Sequence, residues 1–172
     1  MGWFALNSNT TGTPNDAFGR QALQSNTTGV SNTAIGSNAL QANTIGSRNI
    51  AVGNAALGSS VSSSDNIAVG ERTLTTLNGG INNTAVGSEA GYNMSTGSYN
   101  VCYGSISGAG ITTGTGNTCI GQQSAYTGAN NLTTGVNNVV IGYTAGTSSA
   151  GASNQIVIGA ANVGQGDNYV SI

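Results

Sequence analysis

Five carboxylates, Asp16, Asp65, Asp167, Glu71 and Glu89, are the only acids in this 172-residue chain, and Arg20, Arg48 and Arg72 are its only bases. There is no histidine and no lysine. Acid–base catalysis needs titratable groups held within reach of one another, and glycoside hydrolysis needs two carboxyls at a set separation. Glu71 and Glu89 fall in successive repeats of the chain, so neighbouring coils could bring them together. The plainer reading makes them solvated turn residues. Serines are abundant, but an activated serine needs a base, and the sequence offers none. Cys102 and Cys119 hold the same position in two successive repeats. On adjacent coils their Cα atoms fall within disulfide range. Side chains stacked in register run parallel and rarely reach the disulfide torsion, so two buried thiols in a small-residue column are expected. Two thiols are too few ligands for a metal site. The expectation is therefore no catalytic residue, no cofactor and no metal, and no enzyme.

Other chemistry is equally sparse. Gly164-Gln165-Gly166-Asp167 resembles one imperfect copy of a calcium-binding solenoid nonapeptide, a weak signal when single. Asn9, Asn26, Asn82, Asn93 and Asn131 begin N-x-Ser/Thr sequons. A chain this rich in Asn and Thr produces sequons by chance, so glycosylation stays one option. Charged residues make up 5% of the chain, against roughly 25% in ordinary soluble proteins. Three arginines cannot neutralise a run of phosphates, so a nucleic-acid partner is not expected. No apolar run approaches the roughly 20 residues of a membrane span, so membrane insertion is not expected either. A low charge content also fits disorder. A disordered tract, however, has no reason to keep apolar residues in phase.

What positions these residues is a period. Gly2, Gly19, Gly36, Gly53, Gly70, Gly87, Gly104 and Gly121 follow one another at intervals of 17. Gly142 comes after a four-residue insertion, and Gly159 is again 17 further on. Relative to this glycine, position −4 holds Asn15, Asn32, Asn49, Asn66, Asn83, Asn100, Asn117 and Asn138, then Gln155. Position −2 is small: Ala17, Ala34, Ala51, Ala68 and Ala85, then Cys102, Cys119, Val140 and Val157. Position −1 is Phe18, Ile35, Val52, Val69, Val86, Tyr103, Ile120, Ile141 and Ile158. A second glycine recurs at −7, as at Gly29, Gly46 and Gly97. Positions +3 and +4 read Ala-Leu at first (Ala22-Leu23, Ala39-Leu40, Ala56-Leu57) and loosen from Glu89 onward.

One such period is too short for a helix pair but long enough for one coil of a β-solenoid. The pattern predicts an all-β parallel solenoid of about ten coils. Each coil should carry two short strands, Asn-x-Ala-Val and Ala-Leu, separated by turns. The two glycine columns should supply positive φ or crowded corners. The asparagine column fits an amide ladder between coils, or local capping of each turn. With a rise of roughly 4.8 Å per coil, ten coils give a rod of about 48 Å.

Both faces of the Asn-x-Ala-Val strand want burial. Positions −4 and −2 suit a tight interior. Position −3 (Asp16, Thr33, Ile50, Ile67, Thr84, Val101, Thr118, Val139, Ile156) joins −1 in a second, largely β-branched face. One thin coil has only one interior, so this face needs an outside partner, and a homo-oligomer about a central axis provides it.

Units such as Ser31-Asn32-Thr33-Ala34-Ile35-Gly36-Ser37-Asn38-Ala39-Leu40 and Asn83-Thr84-Ala85-Val86-Gly87-Ser88-Glu89-Ala90-Gly91 resemble the head repeats of YadA-like trimeric autotransporter adhesins. They are more similar still to the 17-residue repeats of bacteriophage and algal-virus tail fibres. The resemblance spans essentially the whole of residues 1–172 as a single repeat domain. It implies a left-handed parallel β-roll, a homotrimer about its long axis, and a structural fibre or attachment protein on a virion surface. Its partners would be other fibre or baseplate proteins and a host-surface glycan. The alternative is an adhesin head on a bacterial cell surface, although the coils of such heads are usually shorter than these. An ice-binding solenoid ranks lower, because Thr10-Thr11, Thr27-Thr28, Thr112-Thr113 and Thr133-Thr134 are adjacent pairs rather than Thr-x-Thr. Both termini fall within a unit, with Met1 in a −1 slot and Ile172 in the same slot if a glycine followed. A segment of a longer fibre is the favoured expectation over chains that join end to end.

Overall fold

The computed structural model describes residues 2–128 and 130–172. They form one parallel sheet of ten strands in strict chain order. The strands are β1 (Asn15–Phe18), β2 (Asn32–Ile35), β3 (Ile50–Val52), β4 (Ile67–Val69), β5 (Thr84–Val86), β6 (Val101–Tyr103), β7 (Thr118–Ile120), β8 (Val139–Ile141), β9 (Ile156–Ile158) and β10 (Val170–Ser171). Each pairs only with its predecessor and successor, so the chain winds as a β-solenoid of about nine turns. The repeat columns are the register: Ala34 lies opposite Ala51, and Cys102 opposite Cys119. The four-residue insertion between β7 and β8 leaves that register intact, with Thr118 opposite Val139. The last turn is shorter than the rest, since Val170 pairs back to Ile156. This puts Val170 and Ser171 in the −3 and −2 columns; Met1 lies outside the described residues.

The expectation of two strands per coil fails for a steric reason. Ala22 and Leu23 are neighbours and both are fully buried. A strand would send them to opposite faces. The chain instead turns both inward by alternating the sign of φ: Gln21 is at 59° and Leu23 at 51°, Asn38 at 62° and Leu40 at 49°. Backbone groups in this run are shared between coils and local turns, so none of the extended ladder is needed. Leu23 N–H donates to Ala39 O at 3.0 Å, and Ala22 N–H donates to Gly19 O at 3.3 Å.

Crowding explains the glycine columns. Gly104 has φ of 128°, and a Cβ there would sit 2.7 Å from the carbonyl of Gly121 in the next coil. At −7 the crowding alone decides: a Cβ on Gly97 would lie 2.6 Å from Gly114 O.

The large core side chains move from one column to another along the rod, overlapping in the coil that holds both Leu74 and Leu77. The leucines Leu23, Leu40, Leu57 and Leu74 fill the +4 column, then give way to Gly91, Gly108 and Ala125. Where they vanish, the column at −10 from the repeat glycine grows from Asn26, Asn43 and Ser60 to Leu77, Met94, Ile111 and Leu132, all fully buried. A Cβ on Gly108 would already meet Cys102 Sγ at 2.5 Å and Ile111 Cδ1 at 3.2 Å. The loosened sequence after Glu89 thus leaves space that is filled from another wall.

Two asparagine ladders run through this interior. In the −4 column, Asn49 Nδ2 donates to Asn32 Oδ1 at 3.1 Å, and Asn49 N–H donates to the same oxygen at 3.0 Å. Its other amide hydrogen reaches Ser63 O in the following coil at 2.8 Å. The ladder therefore prevails over local capping, though Asn66 adds a local bond to Ser64 O at 2.8 Å. The second ladder joins Asn9, Asn26 and Asn43, at −10 from the repeat glycine. Asn26 Nδ2 donates to Asn9 Oδ1 at 2.7 Å, and Asn43 Nδ2 donates to Asn26 Oδ1 at 2.8 Å. It stops at Ser60, where Asn43 Oδ1 and Ser60 Oγ are buried without a hydrogen-bond partner.

Candidate interaction surface

The outward side of the sheet is the most distinctive surface of the molecule. Strand alternation buries the −4 and −2 side chains and turns −3 and −1 outward. Parallel register then stacks like on like: Ile50 lies beside Ile67, Val52 beside Val69, and Val69 beside Val86. The result is a ribbon two side chains wide running along every coil. Phe18 and Tyr103 stand out from it at 68% and 59% exposure, while Ile35, Ile50, Ile67, Val101, Ile120, Ile156 and Ile158 are also exposed. Val52, Val69, Val86 and Ile141 are half-buried by their neighbours. Asp16 is the one charged residue in either column. Monomeric proteins rarely leave so long an apolar strip uncovered.

The other charges lie around this strip and mostly staple coils. Arg48 holds Asp65 through two bonds, Nε to Oδ1 at 2.6 Å and an Nη to Oδ2 at 2.8 Å. That guanidinium holds the Asp65 carboxyl below the usual carboxylate range. Arg72 pairs with Glu89 at 2.9 Å, donates to Tyr92 Oη at 2.9 Å, and lies 4.7 Å above the Tyr92 ring centre. Glu89 is therefore held in an ion pair between coils. Glu71 stays exposed beside Arg72.

The two cysteines are free thiols, both buried and directly opposite in register. Donation of its S–H to Cys102, together with burial, pushes the Cys119 thiol well above the ordinary range. In the Gly164–Asp167 segment, Asp167 Oδ1 accepts from Ser153 N–H at 2.8 Å and from Gln155 Nε2 at 3.3 Å. The same carboxylate thus closes the end of the −4 ladder. Among the described residues no group of three or more potential metal ligands occurs. Nor is there among them a cavity, or a helix long and apolar enough to cross a membrane.

Threonine pairs divide by position. The first member donates into the stack, as Thr27 Oγ1 does to Thr44 O at 3.0 Å, while the second, such as Thr28 or Thr113, is exposed. Of the sequon asparagines, Asn26 is fully buried within its ladder, whereas Asn82 and Asn93 are exposed. The recurrence of Asn9, Asn26 and Asn43 at the repeat interval was the signal that could have revealed the second ladder.

Comparison with protein-family models, curated protein sequences and solved structures finds no match to this chain.

Proposed function

We propose that this chain is a structural module of a homotrimeric fibre, displayed on a virion as part of a tail or capsid fibre and serving attachment to a host surface. The observation that carries the reading is the largely apolar ribbon, with Asp16 its one charge, on a rod whose own interior is lined by buried apolar columns. The Ala/Cys/Val column leaves no room inside for those side chains, so copies of the chain are the natural cover. Three copies about the long axis bury one ribbon each without leaving an open flank. The outer sides, rich in Ser, Thr and Asn, then form an inert polar shaft with scattered exposed tyrosines such as Tyr99 and Tyr143. Such a shaft suits contact with other fibre or baseplate proteins at its ends and with glycans along its sides. It needs no catalytic group, and none is assigned.

A bacterial surface adhesin head is the second reading. One observation favours it: the final turn, with Val170 paired to Ile156, is shortened in the direction of the adhesin heads that the repeats resemble. Immunogold electron microscopy separates the two. Label on fibres of purified virions supports the first reading, and label on a bacterial envelope supports the second. Label confined to a cell interior overturns both.

A further inference from the structure

We infer that the apolar ribbon takes second copies of this chain parallel and level with one another, fixed by an ion pair between Asp16 of one copy and Arg20 of the next. This rests on the self-association proposed above and adds the contact that holds neighbouring copies level.

Charge is so scarce here that each group can be followed. Arg48 and Arg72 are held within the chain by Asp65 and Glu89. Asp16 and Arg20 have no ion-pair partner among the described residues, and both are exposed. They flank Phe18 in the first coil, at −3 and +1 of the repeat. Asp16 sits at the −3 margin of the ribbon, and Arg20 just past the repeat glycine at the opposite margin.

Rotation about an axis along the rod brings the −3 margin of one copy against the opposite margin of the next, coil for coil. The first coil is the one in which these margins carry opposite charges. The next two present Thr33 with Ser37 and Ile50 with Asn54. An antiparallel arrangement would instead set Asp16 against the far end, where Ile156, Ile158 and Ala160 occupy the ribbon and its margin. A carboxylate desolvated there without a partner is strongly unfavourable. Complementary charge therefore selects the parallel, level arrangement and penalises the alternatives.

The test is a charge-swap series on the full chain, read by sedimentation equilibrium. Asp16→Arg and Arg20→Asp alone should each weaken assembly by about tenfold, and the double swap should restore it to within about threefold of the parent. Asp16→Asn and Arg20→Gln provide milder variants should a reversal disturb β1, and should show smaller losses in the same direction. Assembly with unchanged affinity in all single variants, or a double swap no better than the singles, overturns the ion pair while leaving self-association standing. A parent chain that stays monomeric at every concentration removes the self-association reading, and this inference with it.

Discussion

Asn66 shows how much one side chain can hold in a solenoid. Its amide donates to Asn49 Oδ1, Ser64 O and Gly80 O, and its own oxygen accepts from both the N–H and the Nδ2 of Asn83. Asn66→Ala strands buried partners above and below, and should cost about 3 kcal/mol or more in chemical denaturation. Ser60 is the opposite case. Its hydroxyl and Asn43 Oδ1 are buried and unpaired at the point where the second ladder ends. Ser60→Ala removes one orphan without breaking a bond, so it should be neutral or stabilising by up to about 1 kcal/mol in the same assay. The cysteines link this scale to pH. The Cys119 thiol is raised by its bond with Cys102 and by burial, so the folded state holds its proton more tightly than the unfolded state does. Stability from the neutral thiol is complete below the ordinary thiol range of about 8.5 and is lost as pH climbs above it. Thermal melts should fall through the alkaline range, and Cys119→Ala should flatten that fall. A Cys119→Ala melt that falls as steeply as the parent's would refute the assignment.

At the scale of the element, the strand half of each coil was legible because alternation, β-branching and a fixed glycine phase all agree there. The Ala-Leu half was misread as a strand because both residues are apolar and short strands are apolar too. The distinguishing fact is that two adjacent side chains point inward, and this has no signature in hydrophobicity. It shows only in the backbone, where non-glycine residues adopt left-handed φ. Ile106 and Thr144 are β-branched residues held there, at φ of 60° and 51°. Ile106→Asn should stabilise the fold by about 1 kcal/mol in thermal or chemical unfolding, since Asn tolerates that region far better. The compensation between the +4 and inner columns was equally hidden, because it requires knowing which columns share a wall. The outward ribbon, by contrast, followed directly from the sequence: an alternating strand with two apolar sides and only one interior.

For the whole molecule, the rod is a stack of similar coils, each supported by its neighbours, with the −4 ladder and the small −2 column running along it. Such a stack explains its own interior fully and leaves its ribbon unexplained unless other copies cover it. The candidate site could be located in the sequence, but what covers it is set by assembly, which no single chain encodes visibly. Sedimentation velocity of the parent chain beside Ile67→Asp is the most direct test. The account predicts an elongated particle of three times the 16.9 kDa chain mass, and a shift toward monomer for the variant with its strand content unchanged by circular dichroism. A parent chain that sediments as a stable monomer across the accessible concentration range would contradict it.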